Sequence, residues 1–235
     1  MSDQEDINTT CDDYHARKLC VIDIDDTLVH SEFQPFEGAT EFRVYGLAFY
    51  SRLRPFAREF LRAVAKHFDL AIWSAGKAFY VNAVVAGFFP LVDFKFVWTD
   101  KKCLSWQKHT AADVTASSSS PVAESASPPS PAPVLCKPLW KIEERFGYSI
   151  EKIVIVDDSE ETARFNCRNL LHMPAYATYE HTIDEDWALL LAAAYFAHLV
   201  PRCAQGEVGD VNKSNWHADA HAIILKDASI LIEIA

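Results

Sequence analysis

The chain has 235 residues, half of them hydrophobic and 12% aromatic, enough to bury a substantial core and to exclude collagen-like, coiled-coil and wholly disordered architectures. Thirty-three acidic residues against 22 basic ones leave a formal net charge of -11. That is the wrong sign for a protein whose main task is neutralising a nucleic-acid backbone, so direct nucleic-acid binding is not expected.

Residues 1–14 carry acids and no base, and read as a flexible tail without the basic and apolar character of a secretory or mitochondrial leader. The six cysteines form no C-x-x-C pair and no metal-ligand spacing. An intracellular protein of nucleus or cytoplasm, with reduced thiols, is therefore expected. Leu19-Cys20-Val21-Ile22 is a continuous apolar run, the pattern of a strand covered on both faces. It ends in Asp23-Ile24-Asp25-Asp26-Thr27.

From Pro55, the spacing of Phe56, Phe60, Leu61 and Val64 predicts a helix. Arg54, Arg58, Arg62 and Lys66 fall four apart, most simply as its solvated face. Phe68–Trp73 reads as a second buried strand closed by Ser74-Ala75-Gly76, Lys77–Ala86 as a helix, and Phe94–Trp98 as a third strand. This alternation predicts an α/β fold with a central parallel sheet and right-handed crossovers.

Between Thr115 and Pro133, every residue except Thr115, Val122 and Glu124 is Ser, Pro or Ala. Such a stretch cannot bury enough apolar surface to offset chain entropy, so residues 112–135 are expected to form a disordered insertion. The pattern resumes at Cys136-Lys137-Pro138, with Leu139, Ile142 and Phe146 on one helical face and Gly147 as a stop. Ile153–Val156 is the fourth strand and ends in Asp157 and Asp158. Leu170–His172 is a candidate fifth strand and Glu185–Val200 a closing helix. The longest apolar stretch, Trp187–Val200, is too short for a bilayer, so no membrane span is expected. One domain over 15–200 results. Residues 201–235 form an extension in which Ala222–Leu225 and Ile230–Ile232 read as strands or a packed tail.

Two apolar strands far apart in sequence thus end in acid pairs. In an open α/β sheet, ligands bind beyond the carboxyl ends of the strands. Carboxylates gathered there repel one another and raise one another's pKa unless a divalent cation offsets them, and an all-oxygen site suits magnesium. Either pair alone would be read as turn-capping aspartates. Ser74, at the tip of the second strand, could donate to a phosphoryl oxygen. Lys137 would open a helix, against the helix dipole, which suggests that it holds an anion.

The run Asp23-Ile24-Asp25-Asp26-Thr27-Leu28-Val29-His30 resembles the first motif of the haloacid dehalogenase superfamily. Its longer match, D-x-D-x-T-L-V-H, is similar to the branch of RNA polymerase II C-terminal-domain phosphatases and NLI-interacting-factor-like phosphatases. Arg54-Pro55, Ser74 after Ile72-Trp73, Lys137-Pro138-Leu139, Asp157-Asp158-Ser159 and Asn166-Cys167-Arg168-Asn169 match that branch in order, over roughly residues 17–200. The Ser/Pro-rich segment departs from the branch, whose members carry a compact hairpin there.

The resemblance implies a Rossmann-like haloacid dehalogenase fold without a large cap domain, since after the first motif, where the superfamily can insert a cap, residues 31–53 leave room only for a flap. It implies that Asp23 is a nucleophile forming an aspartyl phosphate, and that Asp25 acts first as general acid and then as general base. Ser74 and Lys137 would hold phosphoryl oxygens. Mg²⁺ would bind Asp23, the main-chain carbonyl of Asp25, Asp157 and Asp158. An open site favours a phosphorylated protein substrate bearing phosphoserine or phosphothreonine, with the RNA polymerase II C-terminal domain as a candidate. Two other readings share the fold. A non-catalytic interaction module is disfavoured by intact Asp23 and Asp25, and a polynucleotide 3'-phosphatase by the net charge.

Overall fold

The computed structural model describes residues 18–107, 133–176, 186–205 and 211–234. In chain order, β1 (Leu19–Ile22) leads to the strands β2 (Val29–Glu32), β3 (Thr40–Val44) and β4 (Leu47–Leu53). Then follow α1 (Ala57–Ala65), β5 (Asp69–Trp73), α2 (Ala78–Phe88), β6 (Phe94–Trp98) and the short β7 (Leu104–Trp106). Past the next described residue come β8 (Val134–Cys136), α3 (Trp140–Phe146), β9 (Ile153–Asp157), β10 (Leu170–His172), α4 (Ala188–Gln205), α5 (Trp216–Lys226) and α6 (Ser229–Ile234).

All four residues of β1 are fully buried, because β1 pairs in parallel with β5 on one side and β9 on the other and both sheet faces are covered. Cys20 and Ile22 pack with α1, α2 and α4, whereas Leu19 and Val21 pack with Leu139 and Ile142 of the α3 region. The strand order is β10-β9-β1-β5-β6, a parallel sheet with helices on both faces. Each Ile or Leu so buried contributes about 1.5–3 kcal/mol. β1 and β9 are neighbours in register, Ile22 opposite Val156. Asp23 and Asp157 therefore leave the sheet side by side at its carboxyl edge.

The segment 31–53 is a flap, as expected: β2, β4 and β3 form a small antiparallel sheet. Phe42 of β3 stacks on Phe49 of β4 at 5.3 Å and stands edge-on to Phe88 of α2 at 5.3 Å. Gly87 makes this docking possible, since a Cβ there would collide with the Phe42 ring.

Several expectations need correction. Arg54 is not on the solvated face of its helix. It is buried and ion-paired with Asp186 at 2.9 Å, and it donates to the carbonyl of Thr27 at 3.2 Å. Spacing alone could not separate it from Arg58, Arg62 and Lys66, which are exposed. Lys137 does not open a helix, because α3 begins at Trp140. The expected insertion ends earlier than 135, since Val134–Cys136 pairs with Leu104–Trp106. An ordered hairpin base thus stands where a Ser/Pro-rich segment was expected to replace it. Most of that segment, residues 108–132, lies outside the described residues, as does the acidic tail 1–14.

The expected boundary at 200 falls inside α4, which continues through Pro201 to Gln205. Beyond it, Ala222–Leu225 and Ile230–Ile232 are helical. Trp216, Ala220 and Ile234 share the core of α1 and α4. Apolar residues on a partner helix, rather than sheet edges, decide the conformation there. No helix among the described residues is long and apolar enough to cross a membrane.

Candidate active site

At the carboxyl edge, the Asp23 backbone N–H donates to the Val156 carbonyl at 2.9 Å, so the first acid of one strand is tied to the other strand. The Lys137 ammonium, 1% exposed, donates to both Asp23 Oδ1 and Asp157 Oδ2, the latter at 2.7 Å. Asp157 also accepts from Thr162 Oγ1 at 2.7 Å and from the Ser159 N–H at 2.9 Å. Asp158 is attached through Thr27, whose Oγ1 accepts from the Asp158 N–H at 3.1 Å and donates to Oδ1 at 3.4 Å. Ligand oxygens of Asp23, Asp157 and Asp158 lie within 4.8 Å of one another.

One ammonium faces three carboxylates. Burial pushes the Asp23 carboxyl well above its usual range; Lys137 opposes this, and the charges of Asp157 and Asp25 add to it. Burial alone would lower the Lys137 pKa, but Asp157 and Asp23 outweigh it and keep the ammonium charged. Asp158 is pushed up to about 6, first by burial and then by Asp157 and Asp26. This negative excess among oxygen ligands is the environment a hard divalent cation relieves, so the donor set fits Mg²⁺.

Asp25, two residues along, faces a different environment. Tyr80 OH donates to its Oδ1 and Ser74 Oγ to its Oδ2 at 3.3 Å. Burial raises its pKa while these two hydrogen bonds oppose the rise. Ser74 is fully buried and also accepts from the Gly76 N–H at 2.8 Å. A pocket of about 270 Å³ opens beside Asp25, lined by Phe33, Phe49, Phe79 and Tyr80 among others. A larger cleft, about 790 Å³, lies off the acid cluster between the β10 end and residues 211–217. Asp26 belongs to neither group: at φ 54° it turns the loop, and its carboxylate meets His30 Nδ1 at 2.7 Å.

All six expected site residues, Asp23, Asp25, Ser74, Lys137, Asp157 and Asp158, therefore converge on one edge of the sheet. The supporting residues were not assigned from the sequence. Thr27 links the two acid loops, and Asn166 donates to the Lys137 carbonyl at 3.2 Å while the Lys137 N–H donates to the Thr162 carbonyl at 2.7 Å. Both Thr27 and Asn166 sit inside quoted motifs, so the motifs held the signal. Tyr80 sits in a largely apolar helix and carried none.

Residues 18–205 match the model of the NLI interacting factor-like phosphatase family. The chain belongs to that family. Among curated relatives, it is 41% identical over 69 residues to "CTD small phosphatase-like protein 3" of Caenorhabditis elegans, covering 26% of this chain and 23% of that protein. It is 37% identical over 78 residues to "Probable C-terminal domain small phosphatase" of Dictyostelium discoideum, covering 29% of this chain and 24% of that one. The matches thus span about a quarter of those relatives' length. A solved structure of Fcp1, described as an essential RNA polymerase II CTD phosphatase, superposes with a TM-score of 0.47 at 15% identity over 92% of this chain and 52% of that one. The domain has the expected central parallel sheet between helices, with a flap in place of a large cap among the described residues.

Proposed function

We propose that the protein is a magnesium-dependent phosphoprotein phosphatase acting on phosphoserine and phosphothreonine through an aspartyl phosphate on Asp23. The observation carrying this reading is the division of labour between the two first-motif acids. Asp23 lies against the Lys137 ammonium beside Asp157, while Asp25 is held apart by neutral hydroxyl donors.

In the first step, an Asp23 carboxylate oxygen attacks phosphorus and the bond to the serine or threonine oxygen breaks. Asp25 gives its proton to that departing oxygen. In the second step, Asp25 takes a proton from a water, whose oxygen attacks phosphorus; phosphate leaves and Asp23 is restored. Lys137 stabilises phosphoryl charge and keeps Asp23 oriented, and Ser74 can turn from Asp25 to an equatorial oxygen. Asp23, Asp157 and Asp158, with the Asp25 carbonyl, would hold Mg²⁺, which when bound offsets the negative charge that these acids and the phosphate share.

The pocket beside Asp25 is lined by Phe33 and Phe49 of the flap region and by Phe79, which supports a phosphate presented on a protein, with an apolar side chain next to the phosphoresidue. The RNA polymerase II C-terminal domain is the candidate substrate on family grounds. The test compares a phosphoserine peptide, a 3'-phosphorylated oligonucleotide and a panel of phosphorylated metabolites under identical magnesium. The peptide should have the highest kcat/KM. A preference for the oligonucleotide would make the protein a polynucleotide phosphatase, and no turnover of any substrate would make it a binding module.

A further inference from the structure

Asp25 is gripped on both carboxylate oxygens, and the grip on Oδ1 comes from a residue that the proposed chemistry does not use. Tyr80, in the first turn of α2, donates its phenolic O–H to Asp25 Oδ1. Its hydroxyl oxygen also lies 2.8 Å from Ser31 Oγ, and Ser31 Oγ lies 2.7 Å from Ser51 Oγ. Ser31 and Ser51 are directly opposed across β2 and β4, and Ser51 is fully buried. The Tyr80 ring stands edge-on to Phe49 of β4 at 5.1 Å. Because Tyr80 spends its single proton on Asp25, it must accept from Ser31. Ser31 must in turn accept from Ser51. A directed chain of hydroxyls thus runs from the flap to Asp25.

We propose that Tyr80 is a positioning residue for Asp25, and that Ser31 and Ser51 of the flap hold Tyr80 in place. The inference rests on Asp25 being the general acid. Ser74 alone grips one oxygen at 3.3 Å and leaves the carboxyl plane free to rotate. Two donors on different oxygens fix that plane before substrate binds, and when Ser74 turns to the phosphoryl group Tyr80 is the donor left holding Asp25. A proton donor must come within about 2.6–3.2 Å of the leaving oxygen, and a misplacement of about 1 Å can cost on the order of 10² in rate. Purely structural packing of α2 against the flap would use the aromatic ring and have no need of the hydroxyl chain.

The test is the dependence of kcat/KM on the leaving group, measured with substituted phenyl phosphates at saturating magnesium. These substrates are alike in size but differ in how much they need a proton. Wild type should show a shallow dependence. Tyr80→Phe keeps the ring and should lose roughly tenfold on the poorest leaving group but less than about twofold on the best, because only the former relies on the acid. Ser31→Ala, which leaves the aromatic packing alone, should steepen the dependence in the same direction by about threefold. Asp25→Asn belongs in the same series and should steepen it most. Should Asp25→Asn leave the dependence shallow, the general-acid reading itself falls, and this inference with it. Should Asp25→Asn steepen it while Tyr80→Phe depresses all substrates equally, or none, the positioning role of Tyr80 alone is overturned. An unchanged Ser31→Ala would remove the flap from the account.

Discussion

The two sides of the candidate site are built from different materials. On the strand side, Asp23, Asp157 and Lys137 are buried charges joined by short ion pairs and carried by or beside the two central strands β1 and β9. On the flap side, Asp25 is held by uncharged hydroxyls of Ser74 and Tyr80, and the outer links of that chain stand on a three-stranded sheet resting on α2. The difference has a chemical consequence. Fixed charges hold an anion and a cation in place, whereas neutral donors grip a carboxyl group without binding it permanently to its ionised form. This suits the role proposed for Asp25, carrying a proton in one step and accepting one in the next.

Removing a charge from the strand side should do the greatest damage. Lys137→Ala leaves buried carboxylates uncompensated and should cost about 3–5 kcal/mol of stability. It should also lower kcat/KM by roughly 10². Lys137→Arg should restore activity only in part, because a planar fork replaces a point charge. Lys141→Ala, whose ammonium hydrogen-bonds the Lys102 carbonyl instead, is the control. An equal loss in that variant, vanishing at high salt, would reduce Lys137 to long-range attraction.

The flap side should be separable from cation binding. In Gly87→Ala the new Cβ meets Phe42, which must shift and loosen the flap, at about 1–3 kcal/mol of overpacking cost. Turnover should fall while the magnesium concentration giving half-maximal activity stays put. A parallel change in magnesium requirement would show that the two sides are one unit.

The smallest effect tests the negative excess directly. Burial first, then Asp157 and Asp26, place the Asp158 pKa at about 6, above the ordinary value of about 3.9. A carboxyl raised on folding costs nothing where both states are protonated. Its cost begins as pH rises through the unfolded-state value and is complete above the folded-state one. In chelator, Asp158→Asn should therefore stabilise the protein at about pH 7 by on the order of 1 kcal/mol, after allowance for solvent screening, and by nothing below about pH 3. Thermal unfolding across that range reads it, and no stabilisation at neutral pH would mean that Asp158 carries no excess charge.

The central sheet was legible in the sequence because its inner strands β1, β5 and β9 hold continuous apolar runs, a pattern that burial on both faces demands. The paired acids were legible because they end those runs. Lys137 could be named as an anion holder, but for an incorrect reason. No helix dipole acts on it; two carboxylates do, and their closeness is a product of strand order that a linear pattern does not display. Arg54 was misplaced for a related cause: its partner Asp186 lies far along the chain. Tyr80, Ser31 and Ser51 were invisible, since a tyrosine in a largely apolar helix and two serines in strands become a chain of hydroxyls only when the flap folds onto α2. The helices of residues 216–234 were equally hidden, because short apolar runs fit either period until a packing partner chooses.

The most direct test of the account is to quench the enzyme during turnover of a phosphoserine peptide, with magnesium or with chelator, and to map phosphate on the protein by mass spectrometry. The account predicts an acid-stable, base-labile phosphate on the peptide containing Asp23, present only with the divalent cation and absent in Asp23→Asn, which should also be inactive. Full turnover in chelator, or unimpaired turnover by Asp23→Asn with no phosphate on that peptide, would contradict it.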